Sequence, residues 1–165
     1  MSKKMVHLKP IAQVDLDILA ELLTDDTVKQ TYMLPDFASR EEAVKLAQKL
    51  IGCSQEENLR TKGIYVGEQL AGILNQTEIM DDRIELGYAI LPRFHNQGIC
   101  TEAMRIAIGY CFAHGFREVV AGAFEENLAS IRVMVKNGMG KLERYDKIDY
   151  RGKTYTCVYY AIEKP

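Results

Sequence analysis

Residues 83 to 124 read as strand, loop, helix, strand. "RIELGYAIL" (83 to 91) is an apolar run closed by Pro92, and "RFHNQGIC" (93 to 100) is polar with a single glycine. A helix starts near Gly98 and continues through "AMRIAIGYCFA", and "REVVAGAF" (117 to 124) is a second buried-type strand. A crossover of this length returns the chain to the end it left, so strand 83 to 91 is expected parallel to 118 to 124. No short turn could join strands that way.

The flanking segments call for antiparallel partners. "MVHLKPI" (5 to 11) reads as a short strand, and Asp15 opens "DLDILAELLTD", where Leu16, Leu19, Ala20 and Leu23 recur at helical spacing behind an acidic first turn. Ser39 caps a second helix, "REEAVKLAQKLIG", with Ala43, Leu46, Ala47 and Leu50 as its buried stripe and Gly52 as its end. "KGIYVGEQLAGILNQTEIMDDRIELGYAIL" gives three antiparallel strands turned at Gly67 to Gln69 and at "MDDR". "LASIRVMVKNG" is a helix, and "KLERYDKIDYRGKTYTCVYYAI" a hairpin turned at Arg151 and Gly152. The expected class is α/β: a mixed, mostly antiparallel central sheet with helices on both faces, in a single domain over residues 1 to 165.

Composition narrows the partners. With 165 residues, 47% of them apolar, one full core is available, and a net charge of -2 argues against a broad basic surface for nucleic acid. The lysines of "MSKKMVHLKP" precede no apolar core of signal-peptide length, and no run of roughly 18 apolar residues occurs, so a cytoplasmic protein without membrane attachment is expected. Cys53, Cys100, Cys111 and Cys157 form no CxxC pair and keep no zinc-ligand spacing, so free thiols and no metal are expected.

The loop before the third helix carries the chemistry. It joins the C-terminal end of a central strand to a helix N-terminus, where unpaired amides and the helix dipole attract anions, phosphate above all. Gly98 permits close approach, His95, Asn96, Gln97 and Thr101 add donors, and Ile99 and Cys100 contribute backbone amides. An ordinary strand-to-helix connection uses the same residue types, and that reading stays open on the loop alone.

"YAILPRFHNQGICTEAM" resembles the acyl-CoA pyrophosphate loop of the GNAT acetyltransferase superfamily, a pattern of Arg or Gln, two residues, Gly, one residue, Gly or Ala. Here it falls on His95, Gly98 and Cys100. "ENLASIRVMVKNGM" resembles the superfamily's next motif, filled by Asn127, Ser130, Lys136, Gly138 and Met139. The closing hairpin and "TYMLPDFASREEA" are similar to the branch that acetylates ribosomal-protein N-termini, so the resemblance spans nearly the whole chain. His95 and Cys100 depart from the loop pattern; Cys100 is either a small substitute or a thiol able to exchange with CoA. Met134 stands where several GNAT enzymes carry a Tyr as general acid.

The resemblance implies acetyl transfer from acetyl-CoA to a primary amine, of a protein N-terminus or a small molecule, by direct attack within a ternary complex. It implies a parallel strand pair splayed around acyl-CoA and backbone amides of Tyr88, Ala89 or Ile90 facing the oxyanion and pantetheine. Ala89 and Gly87 leave room there. Lys136 would join the cofactor contacts. Glu85 is the candidate base, against a strand carboxylate on a solvated face. Ser130 is the candidate acid and cofactor contact, against a serine that only caps its helix. His7 and His114 are expected to be structural, and Tyr32, Phe37 and Tyr65 line either a pocket or the core. A monomer or homodimer is expected. Two other classes stay open: a non-catalytic acyl-CoA-binding module, and a nucleotide-binding α/β domain, which would lack both its three-glycine fingerprint and its P-loop lysine.

Overall fold

The computed structural model describes residues 5–165; the first four residues of "MSKKMVHLKP" lie outside the described residues. In chain order the elements are β1 Val6–Lys9, α1 Leu16–Thr24, α2 Asp26–Lys29, α3 Arg40–Cys53, β2 Lys62–Val66, β3 Gln69–Met80 and β4 Arg83–Ile90. They continue with α4 Ile99–Ala113, β5 Glu118–Phe124, α5 Leu128–Lys136, β6 Gly140–Tyr150 and β7 Lys153–Glu163. The seven strands follow the order β1-β2-β3-β4-β5-β7-β6. The expected parallel pair is present: β4 and β5 run side by side from Arg83 opposite Glu118 to Leu86 opposite Ala121. β1 with β2, β2 with β3, β5 with β7 and β6 with β7 are antiparallel, so the sheet is mixed and mostly antiparallel. Among the described residues no helix is long and apolar enough to cross a membrane.

The chain divides into two compact units, one reaching Asn75 and including Tyr88–Ala103, the other made of Gln76–Gly87 and Met104–Pro165. In the first unit, "QLAGIL" of β3 is buried on both faces from Leu70 to Leu74, which is why it reads as a continuous apolar run. Leu19, Ala20, Leu22 and Leu23 of α1 and Ala43, Ala47 and Ile51 of α3 bury their apolar faces, each large side chain contributing about 1.5–3 kcal/mol. Leu46 and Leu50, expected in the α3 stripe, are only half-buried, and Ile51 takes the inner place. β1 stops at Lys9 because Pro10 has no N–H to donate to a ladder. The Ser39 side chain caps α3 through the Glu42 amide, and the helix runs one residue beyond Gly52, to Cys53.

In the second unit, β5 is buried along most of its length, with Val120, Phe124, Cys157 and Tyr159 forming a cluster flanked by Leu142, Ile148, Tyr150, Tyr155 and Ala161. The β6-β7 hairpin turns at Arg151 and Gly152, both left-handed at φ 51 and 77, as a two-residue primed turn demands.

Candidate active site

The first unit carries the end of β4 and the loop after it. β3 grips this end closely. The Leu91 amide donates to the Ala71 carbonyl at 2.8 Å, and a methyl at Gly72 would overlap the Ala89 carbonyl, so only glycine allows the two strands this approach. Beyond it, Leu91 and Phe94 are buried and pin a single 3-10 turn over Pro92–Phe94, closed by the His95 amide on the Pro92 carbonyl at 3.0 Å. The chain then passes through two left-handed residues, Asn96 at φ 59 and Gly98 at φ 75, and enters α4.

Ile99, 1% exposed, anchors the start of α4, and the first helical bond runs from the Glu102 amide to the Gly98 carbonyl at 3.1 Å. The amides of Ile99 and Cys100 therefore belong to the turn that has no acceptor within its own helix. A Cβ at Gly98 would meet nothing within 4 Å, so the space beside Gly98 itself is open. An amide-lined, open helix start of this kind fits a diphosphate. The exposed side chains of His95 and Gln97 turn back on their own backbone: His95 Nε2 lies 3.3 Å from the Ile90 carbonyl, and Gln97 Nε2 donates to the Arg93 carbonyl at 3.0 Å. Arg93, the nearby cation, pairs with Glu21 at 2.6 Å. The side chains of His95 and Gln97 are thus engaged with their own loop. Burial pushes the Cys100 thiol up to about 12, so near neutral pH it stays protonated and packs as a small side chain.

The second unit carries Glu85, the third residue of β4. Its Oε2 accepts from the Thr77 hydroxyl at 2.7 Å, and its Oε1 lies 3.6 Å from Arg144 Nη1. Oε1 is buried and has no hydrogen-bond donor among the described residues. Glu85, Arg144, Glu78, Met80, Arg83 and Val120 line a depression of about 280 Å³. Arg83 is held by Glu118 at 2.6 Å. The sequence reading missed Thr77, Arg144, Asp146 and Tyr159 around this carboxylate, because none of them sits in a motif or at a periodic position that marks it.

Asn127 caps α5, its Oδ1 accepting from the Ser130 amide at 3.2 Å. The cap is therefore the asparagine, and the reading of Ser130 as the capping side chain is corrected. Met134 is fully buried, so the position where some relatives of the superfamily place a tyrosine is core here. Lys136 is exposed in the last turn of α5, and Gly138, at φ 79, ends the helix. Tyr88 and Ile90 are half-buried and Ala89 buried on β4.

Of the aromatics left open, Tyr65 belongs to the core: its hydroxyl donates to Asp15 at 2.7 Å and accepts from the Ala12 amide at 3.0 Å. Burial, foremost, pushes its pKa up to about 12. Tyr32 donates to Asn75 at 2.8 Å, and Phe37 lies under the Lys29 ammonium at 5.7 Å. His114 stacks on Tyr110 with ring centroids 3.9 Å apart and holds the Tyr110 carbonyl at 2.8 Å, while His7 is exposed on β1. Among the described residues no three His, Cys, Asp or Glu side chains converge as metal ligands.

A mixed sheet with one parallel pair, followed by an amide-lined turn at a helix start, is the arrangement of acyl-CoA acetyltransferases. The sequence model of the acetyltransferase (GNAT) domain matches residues 6–140, and the chain belongs to that family; it is an acetyl-CoA-dependent acyltransferase. The chain is 28% identical to YoaA, an uncharacterised N-acetyltransferase of Bacillus subtilis, over 96% of this chain and 93% of that one. A GNAT-family acetyltransferase from Bacillus anthracis superposes with a TM-score of 0.82 at 21% identity, covering 99% of this chain and 97% of the other. RimL, a ribosomal L7/L12 alpha-N-protein acetyltransferase in complex with coenzyme A, gives a TM-score of 0.82 at 22% identity over 98% and 95%. A spermidine N-acetyltransferase of Vibrio cholerae, in complex with CoA and spermine, gives 0.78 at 16% identity over 96% and 95%.

Proposed function

We propose that the chain transfers the acetyl group of acetyl-CoA to a primary amine, of a protein N-terminus or a small molecule, by direct attack within a ternary complex in the cytoplasm. The observation that carries this reading is the turn through Asn96 and Gly98 into α4, whose open amides suit a diphosphate. The family match spans parts of both units, which supports their working as one acetyltransferase domain.

Acetyl-CoA supplies an activated thioester. The amides of Gly98, Ile99, Cys100 and Thr101 hold its diphosphate, with His95, Asn96 and Gln97 bordering that turn. The amides of Tyr88, Ala89 and Ile90 pair with pantetheine and stabilise negative charge on the acyl oxygen. The ladder between β4 and β5 closes at Leu86 and Ala121 while β4 runs on to Ile90, which supports that use of the strand's end. Asn127, Ser130 and Lys136 add further cofactor contacts.

Free α-amines titrate near ~8 and lysine amines near ~10.4, so the acceptor must lose a proton before it attacks. Glu85 takes that proton, directly or through a water molecule. Ser130 donates to the departing sulfur, since buried Met134 has no proton to give.

Initial-rate kinetics with acetyl-CoA against peptides bearing free N-termini and against polyamines test the reading. Acetylated product with intersecting double-reciprocal lines is expected. Parallel lines would point to an acetylated enzyme, and acetyl-CoA binding without transfer to any amine would leave a binding module.

A further inference from the structure

We infer that Arg144 is a positioning residue for Glu85, held by a bulge in β6 so that its charge steers the carboxylate without occupying it. The inference rests on the reading of Glu85 as the base.

The geometry begins in the ladder between β6 and β7. Lys141 stands opposite Tyr160 and Tyr145 opposite Val158, so Leu142, Glu143 and Arg144 share a single facing residue, Tyr159. Extra residues of this kind bend a strand and re-aim a side chain. Here the guanidinium of Arg144 lies over the Tyr159 ring, 3.8 Å from its centroid, where stacking favours a planar cation. The Tyr159 hydroxyl donates to Asp146 Oδ2 at 2.6 Å, and that same oxygen lies 3.8 Å from Arg144 Nη2. Ring and carboxylate thus hold the guanidinium on two sides.

From this seat Nη1 reaches to 3.6 Å from Glu85 Oε1. That separation is short enough for strong attraction in a partly buried site and too long for a hydrogen bond. A closer, bidentate pair would consume both carboxylate oxygens. Thr77 already holds Oε2 at 2.7 Å, so Arg144 fixes the direction of the other carboxylate oxygen, Oε1, which accepts no hydrogen bond from the described residues.

Four proteins test this: Glu85→Gln, Arg144→Met, Arg144→Lys and the Glu85→Gln/Arg144→Met double variant. Each is measured for single-turnover rate with an amine the wild type acetylates, for acetyl-CoA affinity and for thermal unfolding. Arg144→Met should slow the acyl-transfer step by about tenfold with acetyl-CoA affinity within about twofold, and Arg144→Lys, which keeps the charge but not the planar group stacked on Tyr159, should recover part of the rate. In the Glu85→Gln background, Arg144→Met should change the rate little, because the carboxylate it positions is gone. An Arg144→Met rate equal to wild type overturns the inference, and so does the same loss in both backgrounds, which would place Arg144's effect elsewhere while leaving Glu85 as the base. Glu85→Gln at the wild-type rate removes the base reading itself and the inference with it. Since Arg144→Met can loosen β6, the Arg144→Lys rescue and the unfolding midpoint separate lost positioning from lost fold.

Discussion

The side-chain oxygen of Asn127 accepts the backbone amide of Ser130 at 3.2 Å, and this one bond separates two roles that the sequence left together in the same stretch. The asparagine satisfies an amide at the start of α5, and the serine hydroxyl is not the cap.

Separate mutations should therefore separate stability from chemistry. Asn127→Ala should cost about 1 kcal/mol in denaturant unfolding, the usual value of a lost cap. Ser130→Ala should cost less stability than Asn127→Ala and slow the single-turnover rate by roughly one to two orders of magnitude, the low end of general-acid effects. A Ser130→Ala enzyme with wild-type single-turnover kinetics would take the proton-donor role away from that residue.

Gly98 has φ 75, and space beside it is open. Gly98→Glu should meet backbone strain of about 1–2 kcal/mol from the left-handed torsion, and it adds negative charge where the diphosphate is proposed to lie. Calorimetry should show acetyl-CoA affinity falling at least about tenfold while the circular dichroism spectrum stays native. Gly98→Ala carries the strain without the charge, so its affinity should lie between wild type and Gly98→Glu.

Gly72 is tested by stability rather than binding. A Cβ there overlaps the Ala89 carbonyl, so Gly72→Ala must push β3 and the end of β4 apart. A loss of about 1–3 kcal/mol, the range of overpacking, is expected from thermal or urea unfolding. A neutral Gly72→Ala would show that this end of β4 moves freely.

Cys100 should be inert. Its thiol, raised to about 12 by burial, is protonated at every pH from 6 to 9, so the thiolate needed for exchange is scarce throughout. Incubating the protein with CoA disulfide near pH 8 and mapping its peptides by mass spectrometry should find no CoA adduct on Cys100. An adduct there would restore the exchange reading.

The legible part of the fold was the part written in short-range pattern. The crossover from β4 through α4 to β5 demanded a parallel pair, and the ladder from Arg83 and Glu118 to Leu86 and Ala121 supplies it. Ser39 marked the start of α3, and Arg151 with Gly152 marked the last turn. Gly98 was visible as the residue that permits close approach before α4; the left-handed Asn96 two residues earlier was not, because nothing in the polar run separates it from its neighbours.

Local periodicity, capping and turn chemistry act over a few residues, and so the sequence by itself determined the strands and the longer helices, their order and the helix start after Gly98, while the one-turn α2 carried no such signal. Contacts between distant elements depend on ladder register and on irregularities within it. That is why only the tertiary structure decided that Tyr65 is core, held by Asp15 and Ala12, and that a β6 bulge sets Arg144 over Tyr159 and within 3.6 Å of Glu85. A bulge changes which residues oppose one another without changing which residues are apolar, so the hydrophobic pattern of β6 carries no trace of it.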